Sequence, residues 1–156
     1  MIRVLIVDDH AILRRGLMAL LSDAFGDAQC GEAANAQEAL QQLAKREWDV
    51  ALLDINMPGK SGLDLLKELR VSWPKLPVLV LSVHPEDQFA AIARKAGAEG
   101  YITKESASEE LVKAIRAVIA GGQYVSPTLA DKLAAASQSH ASSWLAENGP
   151  RELELL

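Results

Sequence analysis

Residues 50–59 read Val-Ala-Leu-Leu-Asp-Ile-Asn-Met-Pro-Gly. Four apolar residues in unbroken succession stop at a carboxylate, Asp54, and Asn56, Pro58 and Gly59 then supply turn chemistry. An apolar run without alternation reads as a strand buried on both faces, the kind found in parallel sheets covered by helices on either side. The same punctuation recurs on both flanks. Residues 2–7 form a β-branched apolar run closed by Asp8 and Asp9, and 29–33 form a weaker strand. Residues 78–81, introduced by Pro77, form the strongest strand and end at Ser82. Residues 101–103 end at Lys104.

Helical patterns fill the intervals. Residues 11–25 carry Ile12, Leu13, Leu17, Leu20, Leu21 and Ala24 in a helical stripe, and 61–70 carry Leu63, Leu66 and Leu69. Asn35 and Glu38 have the spacing of a capping box that opens a helix to about residue 46. Residues 86–96 form a further helix, with Gly97 where a C-terminal cap belongs. Ser106 and Glu109 read as a second capping box, and the helix that follows runs to about residue 120 with Leu111, Val112, Ile115, Val118 and Ile119 inward. Five strand–helix units in succession predict an α/β domain, a doubly wound five-stranded parallel sheet over residues 1–125. Ser126-Pro127 opens a short helix at the head of a linker, 126–143, whose second half is Ser-rich and flexible. Residues 144–156 turn apolar again.

Composition narrows the function classes. The chain has 156 residues, a net charge of -5, 49% hydrophobic residues and one cysteine. That cysteine, Cys30, excludes an internal disulfide and reads as a buried small apolar residue. No apolar run approaches the roughly 18 residues of a membrane span. The expected location is the cytoplasm, away from any membrane. The acidic balance argues against this chain gripping nucleic acid by itself.

In an open parallel sheet, ligands bind beyond the carboxyl ends of the strands. Asp8, Asp9, Asp54, Ser82 and Lys104 all fall there. Two carboxylates about 4 Å apart repel by roughly 4 kcal/mol at an effective dielectric near 20, and three fare worse without a cation. Carboxylate oxygens suit a hard ion such as Mg²⁺. An acceptor carboxylate, Mg²⁺, a lysine and a hydroxyl together make a phosphoryl-transfer site. No Gly-rich phosphate loop is present, so a bound nucleotide is not expected.

The segments IVDDH at 6–10, LLDINMPGKSGLDLL at 52–66, VLVLS at 78–82 and GYITKES at 100–106 resemble the receiver domain of two-component response regulators, which has a flavodoxin-like fold. The resemblance implies that Asp54 accepts the phosphoryl group from a sensor histidine kinase. It implies that Asp9 and Asp54 ligate Mg²⁺ directly, that Asp8 supports the ion through water, and that the Asn56 carbonyl is a further ligand. Ser82 and Lys104 would bind phosphoryl oxygens, and Tyr101 would be the rotating aromatic that follows Ser82. His10 and His84 flank the cleft. They read either as exposed loop histidines or, for His84 with Asn56, as groups that tune the access of hydrolytic water to a phosphorylated Asp54.

Lys104-Glu105 and LVKAIRAVIAGGQYVSP at 111–127 narrow the resemblance to the NarL/FixJ group, whose members carry a LuxR-type helix-turn-helix. Pro150-Arg151-Glu152-Leu153 is similar to the opening of that module. The chain is thus expected to stop just inside a DNA-binding domain, at 144–156. The implied output is transcription control through DNA and a phosphorylation-dependent homodimer, not enzyme turnover. The alternative is a stand-alone receiver acting on a protein target. A haloacid-dehalogenase-type phosphohydrolase would place Asp-x-Asp after its first strand. A flavodoxin would not present Asp8 and Asp9 to a flavin phosphate.

Overall fold

The computed structural model describes residues 2–55, 62–83 and 86–124, the side chains of 86–88 excepted. The expected alternation is present: β1 (Arg3–Val7), α1 (Ala11–Phe25), β2 (Gln29–Ala33), α2 (Ala36–Lys45), β3 (Val50–Asp54), α3 (Gly62–Ser72), β4 (Val78–Ser82), α4 (Glu86–Lys95), β5 (Gly100–Thr103) and α5 (Ala107–Ile119). All four strand pairings are parallel, in the order β2-β1-β3-β4-β5. Every residue of β3 and β4 is buried, as their unbroken apolar runs require. The linker and the segment 144–156 lie outside the described residues.

Side chains that alternate along the strands divide the core in two. Leu5, Val7, Leu53 and Val80 face α2, α3 and α4, where Leu43, Leu65, Leu66 and Leu69 meet them. Val4, Ile6, Leu52, Leu79 and Ile102 face α1 and α5, against Leu17, Leu21, Leu111 and Ile115. Each fully buried aliphatic side chain contributes roughly 1.5–3 kcal/mol relative to exposure. The pairing of the two layers fixes the sheet, and the sheet fixes the site.

Local signals hold in part. Asn35 Oδ1 accepts from the Glu38 N–H at 2.9 Å, as a capping box demands. Glu38 Oε1 returns its bond one residue upstream, to the Ala34 N–H at 3.1 Å. The second box does not form. A 3-10 turn, Lys104–Ser106, precedes α5, and Ser106 already has helical φ and ψ of -95° and -1° with no side-chain cap bond. An N-cap needs extended backbone, and the turn has used it up; the Ser106 hydroxyl instead accepts from Thr103 Oγ1 at 3.0 Å. Gly97 ends α4 with φ of 110°. Its N–H reaches the Arg94 carbonyl at 2.9 Å and that of Ala98 reaches Ala93 at 3.0 Å, the paired bonds of a glycine-terminated helix.

Cys30 corrects one expectation. It sits on the edge strand β2 and is only half-buried. Burial, helped by the nearby charge of Glu32, still pushes its thiol above the usual range. No helix of the described residues is long and apolar enough to cross a membrane.

Candidate functional site

The strand order reverses between β1 and β3, and a cleft opens beyond their carboxyl ends. Val7 is in register with Leu53, so Asp8 and Asp54 emerge side by side. Ser82, the last residue of β4, is in register with Thr103, which delivers Lys104 at the next position. Asp8 is held by its own N–H, which donates to the Ala33 carbonyl at 3.0 Å. Asp8 and Asp54 are each 1% exposed and Ser82 is fully buried.

Lys104 crosses the cleft to meet both carboxylates. Its Nζ lies 3.1 Å from Asp8 Oδ2 and 3.2 Å from Asp54 Oδ2. Burial alone would pull the ammonium down. The hydrogen bond to Asp8 and the charges of Asp54 and Asp8 outweigh it, and Lys104 is held protonated above its ordinary range.

Asp9 extends the cluster, and so does His10. The His10 Nδ1 lies 3.0 Å from Asp8 Oδ1 and 3.1 Å from Asp9 Oδ1. The His10 backbone N–H also donates to Asp8 Oδ1 at 2.8 Å. Arg14, one turn into α1, donates to the Asp8 carbonyl and binds Glu32 at 2.9 Å. One potential ligand atom from each of Asp8, Asp9, His10 and Asp54 lies within 4.8 Å of the others.

This donor set fits a divalent cation. Three carboxylates face one ammonium, which leaves negative charge uncompensated. Asp9 Oδ1 and Asp8 Oδ2 are buried, and each has a single nitrogen neighbour, His10 Nδ1 and Lys104 Nζ, both at 3.1 Å. Their remaining lone pairs are unfilled, and a divalent cation would fill them.

The structure therefore brings together Asp8, Asp9, Asp54 and Lys104, with Ser82 on the same edge. Tyr101 is 3% exposed and packs in the core beneath α4, its strand position in register with Val80. Asn56 and His84 lie outside the described residues. His10, which the sequence placed only as flanking the cleft, comes within ion-pair distance of Asp8 and Asp9. Its only local signal was its place directly after Asp8-Asp9, at the N-cap of α1.

Among known families, residues 4–116 match the one described as response regulator receiver domain. The chain belongs to that family. The receiver is 42% identical to the response regulator GacA of Pseudomonas viridiflava, over 86% of this chain. It spans 63% of that relative's length, somewhat under two thirds. A LuxR-family two-component response regulator from Aurantimonas sp. SI85-9A1 superposes with a TM-score of 0.78 at 36% identity, covering 85% of this receiver and 94% of that chain. TrrA from Thermotoga maritima, solved in complex with Mg²⁺-BeF, gives a TM-score of 0.66 at 28% identity, over 74% of this receiver and 97% of that chain. These likenesses agree with the resemblance carried by the motifs, from the five-stranded receiver fold to the LuxR-type group.

Proposed function

We propose that this receiver accepts a phosphoryl group on Asp54 from a sensor histidine kinase and converts it into a change of association. The observation that carries the reading is the Lys104 ammonium held between Asp8 and Asp54 at 3.1 and 3.2 Å. An Asp54 carboxylate oxygen attacks phosphorus, the bond from phosphorus to the donor atom breaks, and the donor leaves with the electron pair. Lys104 then holds one phosphoryl oxygen through its charge. The TrrA complex with Mg²⁺-BeF supports Mg²⁺ as the cation, which would offset charge on the phosphoryl oxygens. Asp9 and Asp54 are its direct ligands in this reading, Asp8 acts through water, and the Asn56 carbonyl completes the protein share. His84 and Asn56 govern how water reaches the acyl phosphate.

The switch follows from reach. A phosphoryl group adds about two negative charges near neutral pH. The Ser82 hydroxyl can donate to it only across roughly 2.5–3.0 Å, so Ser82 moves inward. Tyr101, already buried one strand over, repacks into the space released. The surface around α4, β5 and α5 changes shape, and a homodimer forms. Residues 126–143 act as a linker, and 144–156 open a LuxR-type helix-turn-helix through which the cytoplasmic regulator reaches DNA. The receiver works as a stoichiometric switch rather than as an enzyme on a free substrate.

Incubation with acetyl phosphate and Mg²⁺ should add one phosphoryl group by intact mass, releasing acetate. Full phosphorylation of Asp54→Asn would overturn the acceptor assignment. Sedimentation with and without beryllofluoride, on the wild type and on Ser82→Ala, tests the output. The switch fails if the mimic binds and neither association nor the chemical shifts of Ser82 and Tyr101 respond.

A further inference from the structure

Resting on that reading of the cleft, we propose that His10 is an additional protein ligand of the cation, and that it biases the site toward imidazole-binding first-row divalent ions such as cobalt(II) or nickel(II) over magnesium. The geometry carries this. His10 Nδ1 stands 3.0 Å from Asp8 Oδ1 and 3.1 Å from Asp9 Oδ1, on the Oδ1 side of the Asp8 carboxylate. Lys104 occupies the other side, at Oδ2 of Asp8 and of Asp54. The ammonium and the imidazole thus divide the carboxylate oxygens between them.

The ring is placed there by backbone. The His10 N–H donates to Asp8 Oδ1 at 2.8 Å, and the His10 carbonyl accepts from the Arg14 N–H at 3.1 Å, which starts α1. With both ends of the residue fixed, Nδ1 is the ring nitrogen turned to the carboxylates. The side chain is 65% exposed, so it can adjust without losing a packed position. Adjustment is modest. Ligands on opposite sides of an octahedral ion stand about 4.2 Å apart when bonds are about 2.1 Å. The four donor residues already lie within 4.8 Å of one another.

Ligand chemistry gives the selectivity. A carboxylate and water set suits magnesium, whereas an imidazole nitrogen favours iron, cobalt, nickel or zinc, with manganese(II) intermediate. Without an ion, Nδ1–H donates to Asp8 Oδ1 at 3.0 Å; to ligate, Nδ1 must offer its lone pair to the ion in place of that bond, with the ring proton then on Nε2. A site that adds one nitrogen to the direct carboxylate ligands Asp9 and Asp54 gains affinity for the transition ions and gains nothing for magnesium.

The test is calorimetric titration of the whole chain with magnesium chloride and with cobalt(II) chloride, on wild type, His10→Ala and His10→Asn. Wild type is expected to bind cobalt(II) at least ~10-fold more tightly than magnesium, and His10→Ala to lose about 10-fold for cobalt(II) but less than about 2-fold for magnesium. His10→Asn exchanges the nitrogen donor for a carbonyl oxygen and puts a favourable N-cap residue at the start of α1, where the His10 side chain makes no cap bond, so it should lower the cobalt-to-magnesium ratio likewise. In the wild type, bound cobalt(II) should shift the His10 ring protons strongly in NMR spectra. Asp9→Ala must weaken both ions, which separates the cleft from His84 and His140, the chain's other histidines. An unchanged ratio in both His10 variants overturns the inference. So does a rise in affinity for both ions, which would make the imidazole a clamp on the carboxylates rather than a ligand. If magnesium binds and only the ratio fails, the phosphoryl-transfer reading stands; if neither ion binds the wild type, both fall.

Discussion

Arg70 Nη1 lies 3.1 Å from Glu99 Oε1, at the edge of the sheet opposite the acidic cleft. The same guanidinium donates to the Pro74 carbonyl at 3.1 Å and to the Leu76 carbonyl. Glu99 in turn accepts from the Val78 N–H at 2.6 Å. One ion pair therefore ties the end of α3, the loop before β4 and the approach to β5. It sets where β4 and β5 begin, and so where Ser82 and Lys104 end up.

Removing this tie should cost stability rather than chemistry. Arg70→Ala is expected to lower unfolding free energy by about 2 kcal/mol, since hydrogen bonds to a partly buried charged group are lost. Urea unfolding followed by circular dichroism measures it. A change below about 0.5 kcal/mol would show that the pair is ornamental, as exposed pairs are.

Glu99 adds a pH signature. Burial pushes its carboxyl above the usual range, against the lowering effects of the Val78 N–H and Arg70. A raised folded value contributes stability that is fully present below the unfolded value near 4.5 and is lost as pH rises through the folded value. Relative to Glu99→Gln, the wild type should therefore be more stable at pH 4 than at pH 7. Parallel urea titrations at the two pH values decide it; an equal gap at both would refute the direction.

Lys104 gives the opposite end of the scale. Its ammonium is held above the ordinary 10.5, so its contribution is intact below that value and disappears as pH climbs through the folded one. Lys104→Met should be less stable than wild type at neutral pH, with the gap closing above about pH 10.5. The variant should also form less acyl phosphate, because the ammonium that would hold one phosphoryl oxygen is gone and only the metal ion offsets its charge.

Gly62 links packing to Asp54, the proposed acceptor. A Cβ at this position would stand 2.3 Å from the Asp54 carbonyl oxygen and 2.4 Å from the Ile55 Cα, both backbone atoms that cannot swing aside. Gly62→Ala should cost roughly 1–3 kcal/mol as an overpacked contact. It should also slow acetyl phosphate uptake by displacing Asp54. A fully stable variant that reacts at the wild-type rate would contradict the close approach.

Much of this architecture was legible in the order of residues. The buried strands announced themselves because β3 and β4 are apolar at every position up to their terminal polar residue. Parallel strands end on one edge, so Asp8, Asp9, Asp54, Ser82 and Lys104 could be assembled without coordinates. Other features had no local signature. The Ser106–Glu109 spacing suits a capping box, but nothing in it reveals the 3-10 turn that places Ser106 in helical backbone. Cys30 looked interior because β2 was read without knowing that it is an edge strand. The Arg70–Glu99 pair joins residues 29 positions apart, beyond any periodicity. His10 needed a side-chain direction, which spacing does not supply.

Lys104 stands 50 positions after Asp54 in the chain. During synthesis the acidic residues of β1 and β3 emerge before the ammonium that pairs with them. Until β5 docks on β4, Asp8 and Asp54 would have to be packed away as bare like charges, which low-dielectric surroundings penalise. Docking of β5 on β4 is therefore what places the ammonium against both carboxylates. In the proposed signalling role, phosphorylation would require β5 in place, because that strand delivers Lys104 to Asp54.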